Sequence, residues 1–167
     1  MTEVFRVAYA VVRGKWDKQF DKTDRRGTML KIAICDDDRM DAERIGTAVT
    51  EYLENAGEPL SCQIFQSGKA LEYEVEDGQA FDLLFLDIEL GEEDGFLLAK
   101  RLQDRLPAAL LLFVSSYEKY VYDSFRLQPF RFLPKRCLEQ MLPEAMSAAL
   151  TERKRREDRF LLLENGQ

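Results

Sequence analysis

Histidine is absent from this chain, and cysteine occurs only three times among its 167 residues. With no imidazole, and with Cys35, Cys62 and Cys137 lacking metal-ligand spacing, a zinc site is not expected; the odd thiol count reads as reduced cysteines rather than a disulfide framework. Long hydrophobic runs are missing too. The longest, Ala108 to Val114, falls far short of the roughly 20 apolar residues that span a bilayer, so no membrane association is expected. Positive charge is in deficit: 24 Lys and Arg stand against 31 Asp and Glu, and the net −7 argues against nucleic acid or an anionic membrane as a partner of the whole chain. The deficit is uneven, since residues 1–28 carry +3 and residues 29–167 carry −10. Val4 to Val12 is apolar but broken by Arg6, with no small-residue cleavage site beyond it, so no secretory leader is expected. Residues 1–28 read as an N-terminal extension, either a short strand with a polar tail or disordered.

What is present is an ordinary globular composition, 46% apolar and 33% charged, in a chain long enough for one domain with a proper core. Its organising stretch runs from Phe81 to Gly91. Phe81 to Leu86 is a nearly continuous apolar run, as in a strand buried on both faces, and Asp87 stands where it opens into an acidic, glycine-bearing loop. The same design recurs. Lys31 to Cys35 ends in Asp36-Asp37-Asp38 before a helix over Arg39 to Asn55; Cys62, Ile64 and Phe65 mark a second strand before a helix that Ser67 caps and that continues to about Val75. Asp94 to Arg105 is helical and is stopped by Pro107; Ala108 to Val114 is a fourth strand ending in Ser115-Ser116. A short helix over Glu118 to Phe125, a strand over Phe130 to Leu133 and a last helix from about Leu138 towards Asp158 complete the pattern. Five strands alternating with five helices predict an α/β fold: a (βα)5 doubly wound, five-stranded parallel sheet built of right-handed units, in the flavodoxin-like order 2-1-3-4-5.

That order sets the first and third strands side by side at the switch point, where open α/β sheets bind ligands. Asp36 and Asp37 end the first strand, Asp87 the third and Ser115 the fourth, while Lys135 follows the fifth. Singly, each has a plain structural explanation as a cap, a turn former or a solvated base. Together they bring three carboxylates, a hydroxyl and an ammonium to one edge. Crowded carboxylates repel unless a cation sits among them, and all-oxygen ligation with room for water suits Mg²⁺. A metal, a hydroxyl and an ammonium around one remaining carboxylate form a receptacle for a phosphoryl group, with Asp87 as the nucleophile that forms an acyl phosphate.

Leu30 to about Leu150 resembles a response-regulator receiver domain of the CheY-like superfamily. The matching motifs are Ile34-Cys35-Asp36-Asp37, Phe85-Leu86-Asp87-Ile88 with Gly95, Phe113-Val114-Ser115-Ser116, and Phe132-Leu133-Pro134-Lys135. Tyr120-Val121-Tyr122-Asp123-Ser124-Phe125 followed by Gln128-Pro129-Phe130-Arg131-Phe132 is similar to the LytTR subgroup, whose receivers precede a β-rich DNA-binding domain. The resemblance implies a cytoplasmic protein in which Asp87 accepts a phosphoryl group from a sensor histidine kinase, which supplies the donor imidazole this chain lacks. It further implies Mg²⁺ held by Asp36, Asp37, Asp87 and the main-chain carbonyl of Glu89, with Ser115 and Lys135 on phosphoryl oxygens and Phe132 turning inward as Ser115 moves. A homodimer through the fourth helix, fifth strand and fifth helix is the expected assembly. DNA would be reached only through an output domain, because Thr151 to Asp158 reads as a linker helix and Phe160 to Gln167 as the cut-off opening strand of a LytTR-like domain, making residues 151–167 a separate unit.

Three departures from the family pattern stand out. Arg136 follows Lys135 where proline is common, Gly91 occupies the usual place of proline in the phosphoacceptor loop, and Phe132 lacks a tyrosine hydroxyl. Two other functions fit parts of the sequence. Asp87-Ile88-Glu89 is faintly similar to the Asp-x-Asp of haloacid-dehalogenase-type phosphatases, which carry the nucleophile on the first strand and want aspartate where Glu89 stands. An unphosphorylated interaction module would leave the acidic edge idle.

Overall fold

Strand and helix alternate from Leu30 onward because apolar runs of four to six residues are separated by amphipathic stretches with their own caps. The computed structural model describes residues 29–164, together with Val11–Val12 and Lys15–Trp16, which pair as an antiparallel ribbon. The rest of the N-terminal extension, and with it the choice between strand and disorder, lies outside the described residues. Five strands, β1 (Leu30–Cys35), β2 (Leu60–Phe65), β3 (Leu83–Leu86), β4 (Leu110–Ser115) and β5 (Arg131–Pro134), form one parallel sheet in the order β2-β1-β3-β4-β5. This is the predicted flavodoxin-like order. Its register sets Cys35 beside both Phe65 and Leu86, and Ser115 beside Pro134, so the strands end together along one edge.

The sheet has two dry faces because successive side chains point to opposite sides. Ile32, Ile34, Phe85, Leu112 and Val114 enter one core with α1 (Arg39–Asn55) and α5 (Leu138–Glu164). Ala33, Cys35, Leu84, Leu86 and Phe113 enter the other with α2 (Gly68–Glu76) and α3 (Gly95–Arg105). Every residue of β3 and β4 is buried, which explains their apolar sequence up to Ser115. Each Leu, Ile or Phe taken from water contributes roughly 1.5–3 kcal/mol, and that sum fixes the strand ends.

Three helices start on side-chain caps that sit at the functional edge. Asp38 accepts from the Asp41 N–H at 3.1 Å, Ser67 from Ala70 at 3.2 Å, and Asp94 from Phe96 at 2.8 Å. The expected fourth helix is a single turn, α4 (Val121–Ser124), flanked by 3₁₀ turns over Glu118–Tyr120 and Phe125–Leu127. The end of the described chain differs from expectation. Phe160 to Glu164 continues α5 instead of opening a new strand. Glu, Arg and Leu are strong helix formers, no Gly or Pro intervenes before Gly166, and Glu152 pairs with Arg155 and Arg156 one turn on. Nor is the basic run over residues 151–158 simply solvated: Arg156 donates to the Ala108 carbonyl at 3.0 Å and Arg153 lies 3.7 Å from Asp82. No helix among the described residues is long and apolar enough to cross a membrane.

Candidate functional site

Two strand ends deliver the acidic group. Asp36 follows β1, with its N–H bonded to the Phe65 carbonyl at 3.1 Å, and Asp87 follows β3, with its N–H bonded to the Cys35 carbonyl at 2.9 Å. The sheet ladder thus extends one residue into the site and sets both carboxyl groups. Asp36, Asp37 and Asp87 each offer a carboxylate oxygen within 4.8 Å of the others'. Asp36 is fully buried, Asp87 nearly so, and Asp37 is exposed. Asp37 and Asp87 border an open cleft of about 590 Å³ that Glu89, Tyr117 and Tyr120 also line.

Lys135 meets this group from the loop after β5. Its Nζ donates to Asp87 Oδ2 and Asp41 Oδ2, both at 2.9 Å, and stands 2.6 Å from Asp36 Oδ2. The Asp36 contact falls outside hydrogen-bond angles, so that buried oxygen has a cation beside it but no directed donor. Burial raises the pKa of Asp36 to about 6 against the pull of Lys135 and of the Asp38 N–H, and burial raises that of Asp87 too. For Lys135 burial works against the charge, yet the nearby carboxylates of Asp36, Asp41 and Asp87 outweigh it and leave the pKa raised. An unsatisfied buried carboxylate oxygen in an all-oxygen donor set fits a hard divalent cation such as Mg²⁺.

The loop after β3 is shaped by two glycines. Gly91 turns it at φ +65°, a conformation that side chains rarely adopt and that a proline cannot. Gly95 has no room for a side chain, because a Cβ there would lie 2.5 Å from the carbonyl oxygens of both Asp87 and Ile88. Around Gly91, Glu89–Leu90 pairs with Glu93–Asp94, and the Glu89 N–H donates to Asp87 Oδ1 at 3.2 Å.

Of the other expected residues, Ser115 is fully buried and its Oγ accepts the Tyr117 N–H at 3.2 Å; Ser116, not Ser115, borders the cleft. Phe132 is half-buried beside the core of the α2 and α3 side and does not line the cleft. Two side chains were not singled out from sequence. Asp41 reads there as one more acid in a first turn, although its proximity to the Asp36-Asp37-Asp38 run was the available signal. Tyr120 was only part of a subgroup phrase; here its hydroxyl donates to Glu89 Oε1 at 2.8 Å, and its ring meets Tyr117 and Phe96 edge-on.

The sequence profile of the response regulator receiver domain matches residues 32–147, well over half the chain. The chain belongs to that receiver family. It is 31% identical over 119 residues to the sensory transduction protein LytR of Streptococcus agalactiae, covering 71% of this chain and 47% of that protein. The sensory transduction protein LytT of Bacillus subtilis is 25% identical over 118 residues, again covering 71% of this chain and 47% of the relative. This receiver therefore spans about half the length of the curated relatives it matches. Among solved structures, the N-terminal domain of a response regulator/sensory box/GGDEF 3-domain protein from Carboxydothermus hydrogenoformans superposes with a TM-score of 0.64 at 25% identity, covering 75% of this chain and 98% of that one. A CheY-like receiver domain from Methanospirillum hungatei shares the fold with a TM-score of 0.62 at 21% identity, covering 77% of this chain and 98% of its own. Receivers belong to two-component signal transduction, and the family, the fold and the LytR/LytT likeness agree with the resemblance read from the motifs.

Proposed function

We propose that this receiver accepts one phosphoryl group on Asp87 from a partner sensor histidine kinase in a Mg²⁺-dependent reaction, and passes the resulting change to an output domain. The observation that carries the reading is the Asp36, Asp37 and Asp87 cluster, within 4.8 Å, with Lys135 bonded to Asp87. Asp36, Asp37, Asp87 and the main-chain carbonyl of Glu89 would hold the ion, which supplies positive charge against the phosphoryl oxygens. Asp87 Oδ1 is the attacking atom: it forms the O–P bond as the P–N bond to the donor imidazole breaks, and the electron pair of that bond leaves with the imidazole nitrogen. Lys135 already faces the other oxygen of the same carboxylate and neutralises charge as it moves to the phosphoryl group. Ser115 takes a phosphoryl oxygen once its hydroxyl leaves the Tyr117 N–H, and Phe132 packs into the space behind it. Apart from taking up and slowly hydrolysing its own phosphoryl group, the chain has no enzymatic turnover in this reading.

The place of action is the cytoplasm. A homodimer through α4, β5 and α5 is the associated assembly, and DNA is reached through an output domain outside residues 29–150. Intact mass after acetyl phosphate treatment tests the reading: wild type with Mg²⁺ gains the mass of one phosphoryl group, and neither Asp87→Ala nor wild type in EDTA does. Unmodified wild type would favour an interaction module with an idle acidic edge.

A further inference from the structure

Lys135 lies between three carboxylates that do not have equal standing. Asp36 and Asp87 belong to the group whose oxygens converge within 4.8 Å, whereas Asp41 stands outside it. Asp41 comes from the first turn of α1, three residues after the Asp38 cap, and Cβ atoms there tilt towards the helix N-terminus and hence towards the strand ends. One turn further on, Arg44 Nη2 donates to the main-chain carbonyl of Lys135 at 2.6 Å, and Arg44 Nε lies 3.7 Å from Glu139 at the start of α5. Helix α1 thus holds Lys135 at both ends, ammonium and backbone. The next residue does not contribute: Arg136 is exposed and paired with Glu118.

We propose that Asp41 is a positioning residue that keeps the Lys135 ammonium in the cleft when a divalent cation draws on Asp36 and Asp87, with Arg44 fixing the lysine from its backbone. The inference rests on the phosphoacceptor reading and concerns how its lysine stays in place. A cation sharing Asp36 and Asp87 repels the ammonium and takes part of the negative charge that held it. Asp41 is the partner outside the cluster, so the lysine retains one anion within hydrogen-bond reach. It also has a path to an incoming phosphoryl group, because the same ammonium is already bonded to Asp87.

Amine labelling with acetic anhydride, read residue by residue by mass spectrometry, tests this without any phosphorylation step. The exposed Lys100 and Lys119 serve as internal standards. Wild-type Lys135 should be protected equally in EDTA and in saturating Mg²⁺. In Asp41→Asn it should be protected in EDTA but labelled roughly threefold or more faster with Mg²⁺, since a lysine repelled by the ion and released from its last carboxylate leaves the cleft and meets the reagent. Asp41→Glu should restore protection. Equal protection of Asp41→Asn and wild type in Mg²⁺ would overturn the proposal. So would wild-type Lys135 that becomes reactive with Mg²⁺, or Asp41→Asn that is equally reactive in EDTA, the signature of a disturbed fold. Calorimetric titration of wild type with Mg²⁺ reports separately on the metal site, so failure of the function and failure of the Asp41 role are told apart.

Discussion

Asp36 and Asp87 are acids in a place that resists charge, and this gives the residue scale its testable consequences. Burial carries the folded pKa of Asp36 to about 6 and raises that of Asp87, while an unfolded aspartate titrates near 3.9. A folded pKa above the unfolded one means that the native state holds its protons more tightly. Stability from these groups is therefore fully present below about pH 4 and is lost as pH rises through about 6. In EDTA, urea unfolding of wild type should show a loss on the order of a few kcal/mol across that window, and Asp36→Asn should flatten it. A wild-type profile that rises from pH 4 to 7 would refute the assignment. Asp87→Asn should take no label from acetyl phosphate while melting close to wild type, because it keeps the shape of the side chain and its place beside Lys135; an undiminished label would remove Asp87 from the role.

At the scale of elements, the loop after β3 is held by contacts that tolerate little. Gly95→Ala places a Cβ against two carbonyl oxygens at 2.5 Å, so the loop or the start of α3 must shift. A cost of about 1–3 kcal/mol and slower labelling of Asp87 are expected from melts and mass spectra; an unchanged melting temperature would contradict the fit described. Across the cleft, Tyr117 lies at the mouth and Tyr120 holds the Glu89 carboxylate at 2.8 Å. In the phosphoacceptor reading, a ring at position 117 would obstruct in-line approach of water, and Glu89 would orient one only when released from Tyr120. Tyr117→Ala should shorten the life of the phosphorylated form and Glu89→Ala should lengthen it less. Decay followed by mass spectrometry after donor removal decides, and a Tyr117→Ala lifetime equal to or above wild type would rule out the gate. These elements also show where sequence reading succeeds. Buried strands were legible because both faces demand apolar residues, and Asp36, Asp37 and Asp87 were legible because each follows such a run. Asp41 and Arg44 were not, since polar first-turn residues of a surface helix look solvated until the partner loop is seen. The end of α5 differs from the expected strand because Phe160 to Leu163 satisfies strand and helix alike, and helical continuity from the charged turn before it decides the matter.

For the molecule as a whole, the two cores hold the strand ends rigidly, so a ligand at that edge is linked to global stability. Mg²⁺ at 100 times its dissociation constant should stabilise wild type by about 2.7 kcal/mol, and far less in Asp36→Asn. Thermal melts in EDTA and in excess Mg²⁺ measure this, and equal shifts in the two proteins would place the ion elsewhere. The central claim is that one carboxylate among three takes the phosphoryl group. Borohydride reduction turns an aspartyl phosphate into homoserine, which tandem mass spectrometry locates within a peptide. After acetyl phosphate and Mg²⁺, homoserine at position 87 alone is the predicted result; homoserine at 36 or 37, or none at all, would contradict the account.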